Sequence, residues 1–157
     1  MNKLIIFGTV FGCISSIYAY LTSDKVSKDI LARTIWAEAR GDGWEGMQAV
    51  ASVVLNRVKQ NSWYGKSIVA VCLFPWQFSA WNKNDPNRNK LLNVDTKNSV
   101  FQDALKIAER AVNGTLEDNT NGATHYHVKS MSNTPKWTEN ATVVARIRSH
   151  IFYKGVA

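Results

Sequence analysis

The sequence predicts an α+β domain: compact, mainly helical, with a small antiparallel sheet near the C-terminus. Up to Gly114 the apolar residues recur at the three- and four-residue spacing of helix faces. From Ala123 the grammar changes to short β-branched and aromatic runs, "ATHYHV", "TVVARI" and "HIFYK", separated by polar turns. Helices first and strands last is the order of an α+β fold. At 157 residues with 45% apolar content, the chain can bury a core without staples.

Residues 1–22 stand apart. One lysine precedes an uncharged stretch from Leu4 to Leu21, and charges resume at Asp24. This is the pattern of a secretory signal or a weak signal-anchor, with Ala19 as a small residue suited to cleavage. Gly8, Thr9, Gly12, Ser15 and Ser16 dilute the stretch, which is barely long enough to span a bilayer. The expectation is export to the periplasm or envelope, with residues 4–21 contacting the inner membrane and residues 23–157 forming one domain.

Within that domain, Ile30, Leu31, Ile35 and Ala39 predict a helix over Lys28–Arg40, with Gly41 placed to end it. Met47, Val50, Ala51, Val54 and Val58 predict a second over Trp44–Lys59. A short helix over Ser67–Leu73 stops before Pro75. "FPWQFSAWNKNDPNRN" then reads as a long polar and aromatic loop, and such loops are commonly functional. Phe101, Ala104, Leu105, Ala108, Ala111 and Val112 predict a helix over Lys97–Asn113, ended by Gly114. Of the two cysteines, Cys13 falls in the N-terminal segment and Cys72 in an apolar run. They read as a core residue and a bystander, not a disulfide framework.

The net charge of +7 favours a polyanionic partner: nucleic acid, an anionic membrane or an acidic cell wall. No RNA-binding signature accompanies it, and a nucleic-acid partner is not expected.

The chemistry concentrates in "TIWAEARGDGWEG". Asp42 and Glu45 have the D-x-x-E spacing of a capping box before an apolar helix, so both are expected to be structural. Glu38 differs, because it falls in the last turn of its helix beside Trp36. There the negative dipole end and an apolar neighbour both raise a carboxyl pKa. A carboxyl that keeps its proton near neutral pH suits general-acid attack on a glycosidic oxygen. In "THYHV", His125 and His127 face one side of a strand and Tyr126 the other. With His150 and a carboxylate, the histidines are one conceivable zinc set. The spacing matches no metal signature, so neither a metal nor another cofactor is expected. The aromatic residues Trp76, Phe78, Trp81 and Trp137 suit stacking on sugar faces, and Gln77, Ser79 and Asn82 suit its hydroxyls, though some rings are expected to plug the core instead.

With these residues in view, the chain resembles the cell-wall hydrolase family that includes the spore cortex-lytic enzymes. The resemblance rests on "IWAEARGDGWEGMQAVASVVLNRV", "FPWQFSAWNKNDPN", "GATHYH", "KW" and "RIRSHIFYKG", in the family's order from Ile30 to Gly155. It implies a lysozyme-like fold and cleavage of the β-1,4 bond between N-acetylmuramic acid and N-acetylglucosamine in peptidoglycan. It implies Glu38 as the catalytic acid, with Gln77, Phe78, Ser79, Tyr126, His127 and Trp137 toward the substrate. The family often carries Glu at position 42 and Gly at position 148, where Asp42 and Arg148 stand here. It implies a lytic transglycosylase that works with one Glu. A muramidase with a second carboxylate, for which Asp85 is best placed, stays open, as does a zinc-dependent amidase built on the late histidines. A monomer acting in phage lysis or wall remodelling completes the expectation.

Overall fold

The computed structural model describes residues 23–156, so the expected export segment and Cys13 lie outside the described residues. The described residues form five α-helices, two short 3-10 helices and a three-stranded antiparallel sheet, the α+β class predicted, with one α-helix more than expected. Helix α1 spans Asp24–Ala39 and starts a turn earlier than its apolar stripe suggests. The reason is a cap: the Ser23 hydroxyl accepts the Val26 N–H at 3.4 Å, and Asp24 sits in the first turn, where the helix dipole favours an anion.

Helix α2 (Gly43–Gln60) is buried on two sides and forms the centre of the molecule. Met47, Val50, Ala51 and Val54 pack with Leu31, Ile35 and Ala39 of α1 in the main core. Ala49 and Val53, on the other side, pack under Phe152 and Ile147 of the sheet. The many alanines let the neighbouring backbones approach closely. Helix α3 (Ile68–Leu73) is capped by Ser67, and α4 (Arg88–Asn93) follows inside the long loop. Helix α5 (Ser99–Val112) begins where the Asn98 side chain accepts the Phe101 N–H at 3.0 Å, and Gly114 turns the chain after it at φ 70°.

The strands are β1 (His125–Val128), β2 (Thr142–Ile147) and β3 (His150–Lys154), in spatial order β1-β3-β2. Tyr126 lies opposite Phe152, and His127 opposite Ile151. Tyr126 and Phe152 therefore share the face turned to α2, while His125, His127 and Tyr153 share the other. Asp118 fastens the α5–β1 connection, accepting from the backbone N–H groups of Thr120 and Gly122 and from the Asn56 amide of α2.

The structure corrects the turn between α1 and α2 in two respects. Asp42 occupies the N-cap position, but its side chain caps nothing. Its carboxylate instead accepts the Ser149 hydroxyl at 2.6 Å and the His150 Nδ1–H at 2.8 Å, 107 or more residues away. Glu45 reaches no cap either; it pairs with Arg148 at 2.8 Å. The capping box is therefore an inter-element clamp, joining the α1–α2 turn to the β2–β3 turn. The left-handed residue of the first turn is Gly43 (φ 66°), not Gly41, and that of the second is Arg148 (φ 49°). Left-handed backbone at position 148 is what a glycine would adopt without strain.

Candidate active site

Glu38 sits in the last turn of α1, half-buried, and accepts a hydrogen bond from the Tyr126 hydroxyl at 2.8 Å on its Oε2. Helix end and sheet thus meet at one carboxylate. Burial raises the Glu38 pKa above the ordinary carboxyl range, and the nearby Asp85 raises it further. Tyr126, Arg57 and Arg40 act in the opposite direction, favouring the carboxylate. Burial dominates, so the acid form persists to higher pH than in water. Trp36, the apolar neighbour expected from sequence, is turned into the core against Phe101, with the Arg40 guanidinium over its ring.

Tyr126 is itself held in place. Its ring meets His150 edge-on at 5.1 Å and lies against Phe152 at 5.6 Å. Its own pKa is pushed well above 10 by burial and by Glu38, so the phenol stays a donor. His150, in turn, is fixed by Asp42. Its pKa is lowered by burial, an effect that Asp42 offsets only in part. A chain of contacts therefore runs from the α1–α2 turn through His150 and Tyr126 to Glu38.

Arg57 is the site residue that sequence reasoning missed. It is 5% exposed, donates from Nε to the Thr124 carbonyl at 2.8 Å, and lies over the rings of Tyr64 and Phe78. One signal for it exists: Arg57 falls at i+3 and i+4 from Val54 and Val53, on the apolar face of α2. A cation there must be buried and partnered. Burial lowers its pKa, yet a guanidinium remains charged.

The loop from Phe74 to Arg88 closes the other side. Arg40 donates to the Asn87 side chain at 3.2 Å, Arg33 to the Leu91 carbonyl at 2.7 Å, and the Trp81 indole to the Thr34 hydroxyl at 3.0 Å. The first and third tie the loop to α1, and the second ties α4, which follows it. Asp85 accepts the Asn87 N–H at 2.8 Å and is also hydrogen-bonded by Ser79. These bonds hold its pKa below the usual range, opposite in direction to the shift of Glu38, on which its charge acts.

Several expected substrate residues are placed elsewhere. Phe78 is a correction: at 2% exposure it belongs to the main core beneath Arg57. His127 is likewise withdrawn, buried under Trp137 and stacked on Tyr153. Its Nδ1–H donates to the Val128 carbonyl, so Nε2 accepts the Tyr153 hydroxyl at 2.9 Å. Trp137 is half-buried against His125, His127 and Tyr153, on the sheet face away from Glu38. Gln77 is half-buried and Ser79 exposed, both on the loop near Asp85. Cys72 is fully buried, its thiol pushed up to about 12, which makes it an inert core residue. The three histidines have separate partners, and no three His, Cys, Asp or Glu side chains gather as a metal-ligand set among the described residues.

This arrangement offers a proton donor in a half-buried setting, a neighbouring anion and fixed cations. It is the equipment of acid-assisted bond cleavage. The same architecture occurs in solved structures. The catalytic domain of the Bacillus cereus SleB protein is 28% identical, with a TM-score of 0.63, covering 82% of this chain and 89% of that one. The catalytic domain of the germination-specific lytic transglycosylase SleB from Bacillus anthracis is 29% identical, with a TM-score of 0.62, covering 82% and 93%. A spore cortex-lytic enzyme of Halalkalibacterium halodurans is 27% identical over 125 residues, 78% of this chain but only 33% of that protein, so the chain spans about a third of its length. The cell wall hydrolase family matches residues 41–153, most of the described domain, beginning just after Glu38. The chain belongs to the cell wall hydrolase family.

Proposed function

We propose that the protein cleaves the β-1,4 bond between N-acetylmuramic acid and N-acetylglucosamine in peptidoglycan, with Glu38 as the general acid. The observation that carries this reading is the half-buried Glu38 carboxyl, raised in pKa and oriented by the Tyr126 hydroxyl. Glu38 gives its proton to the glycosidic oxygen as the C–O bond breaks, and positive charge develops at the anomeric carbon. In the lytic route, the muramic acid 6-hydroxyl then bonds to that carbon and returns its proton to Glu38. No water is consumed, and the product carries a 1,6-anhydro end. The likeness to a domain described as a lytic transglycosylase supports this route.

One observation favours a second reading, hydrolysis. Asp85 stays ionised within the electrostatic reach of Glu38, and paired carboxylates with opposed pKa shifts are the equipment of a hydrolase. Mass spectrometry of digested peptidoglycan separates the two. Anhydro-muramyl ends mean the lytic route, reducing muramic acid ends mean hydrolysis, and freed stem peptides overturn both in favour of an amidase. Glu38→Gln is expected to abolish release while the fold stays intact; full activity in that variant overturns the role of Glu38.

The biological setting follows from the substrate. Residues 1–22 would carry the domain out of the cytoplasm, cleaved or as a signal-anchor in the inner membrane, as in a phage endolysin or an exported remodelling enzyme. Among the described residues, no helix is long and apolar enough to cross a membrane. A monomer suffices, because Glu38, Tyr126, Arg57 and Asp85 all come from one chain.

A further inference from the structure

Trp76 is the most exposed large apolar side chain among the described residues, at 83%. It also adopts φ 67°, in the left-handed region that a bulky residue enters only at a cost. A side chain that is strained and unburied contributes little to folding, which leaves its surface free for binding. Beside it runs a groove of about 550 Å³, lined by Leu73, Phe74, Trp76, Trp81, Asn82 and Asn84 among others. That volume is ordinary for a ligand site. The aromatic surface continues from Phe74 to Trp63, whose rings lie 5.8 Å apart.

We propose that Trp76 and this groove bind a sugar ring of the glycan strand, away from the bond that is cleaved. The proposal rests on the glycosidase reading above. Indole and phenyl faces match the C–H face of a pyranose, and the amides of Asn82 and Asn84 match its hydroxyl and acetamido groups. The groove's one charged residue is Lys83, which suits a neutral ring. The groove also adjoins the candidate site along the chain. Its residues Trp81–Asn84 directly precede Asp85, which Ser79 hydrogen-bonds and whose charge acts on Glu38. A strand lying along the loop would reach both. Trp76 thus adds affinity and register, and the reacting atoms remain with Glu38.

The test compares Trp76→Gly and Trp76→Ala. Binding is measured in a Glu38→Gln background, by co-sedimentation with purified peptidoglycan sacculi, and turnover is measured in the active enzyme. Both variants are expected to bind sacculi about tenfold more weakly or worse, as for a Trp-centred hot spot. In the active enzyme, KM rises while kcat is retained. Glycine adopts φ 67° freely and alanine does not, so the glycine variant melts above the alanine variant. That order reverses the usual one and shows that the backbone strain is real. Unchanged sacculus binding overturns the proposal. So does weakened binding to phosphatidylglycerol–phosphatidylethanolamine vesicles with sacculus binding intact, which would assign the patch to a membrane. Wild-type turnover is read separately, so failure of the glycosidase reading is distinguishable from failure of the Trp76 site.

Discussion

Replacing Asp42 by alanine decides whether this acid starts a helix or ties two distant turns together. Its carboxylate accepts from Ser149 at 2.6 Å and from His150 at 2.8 Å, and the His150 and Asp42 side chains are only 5% and 14% exposed. Hydrogen bonds to a charged group contribute about 1.5–3 kcal/mol each. Losing both, with the His150 Nδ1–H left buried, should cost roughly 3–5 kcal/mol, the range for breaking a buried pair. An N-cap alone would cost about 0.5–2 kcal/mol. With a urea slope of ~2 kcal/mol/M, the clamp predicts a midpoint shift of roughly 1.5–2.5 M and the cap at most about 1 M. A double-mutant cycle with His150→Ala sharpens the choice. The clamp predicts a coupling energy above about 1 kcal/mol, whereas independent sites stay within roughly 0.5 kcal/mol of additivity. A small, additive loss would refute the clamp. Because His150 meets the Tyr126 ring edge-on, the same variants should also lower kcat.

Two further outcomes concern Glu38. Tyr126→Phe keeps the ring against Phe152 and removes a hydrogen bond that lowers the Glu38 pKa. The alkaline limb of the pH–activity profile should therefore move to higher pH; a shift to lower pH would contradict the geometry. The second outcome is a stability effect. The Glu38 pKa is raised in the folded state, so the native protein binds more protons than the unfolded chain above the ordinary carboxyl value. The Glu38 contribution is fully present below about pH 4.3 and is lost as pH rises through the folded pKa. Glu38→Gln should consequently be more stable than wild type at pH 8, and the gap should narrow toward pH 4 in urea titrations.

Elements with a strong local signature were legible in the sequence. The stripes of α1, α2 and α5 and the three strands emerge from periodicity alone, because a helix or strand face is written in residues a few places apart. Helix α4 was not, since "RNKLLN" buries only Leu91 and owes its position to Arg33 and Arg40 of α1. Asp42 was misread for a related reason. D-x-x-E is a valid cap spacing, but partners in the β2–β3 turn compete for the carboxylate, and no local pattern records them. Phe78 shows the limit of composition, because an aromatic residue in a polar loop can be the plug under it. The position of Glu38 in the last turn of α1 was legible because a helix end is a local fact. Arg57 was missed although its apolar surroundings on α2 marked it.

The bond between Tyr126 and Glu38 spans 88 residues. A nascent chain can complete α1 and α2, with Glu38 in place, and still lack the hydroxyl that orients its carboxyl. The donor arrives only when β1 pairs with β3, and β3 is the last strand to be made. Synthesis order therefore sets when the Glu38–Tyr126 pair can form: only after the C-terminal strand has been made.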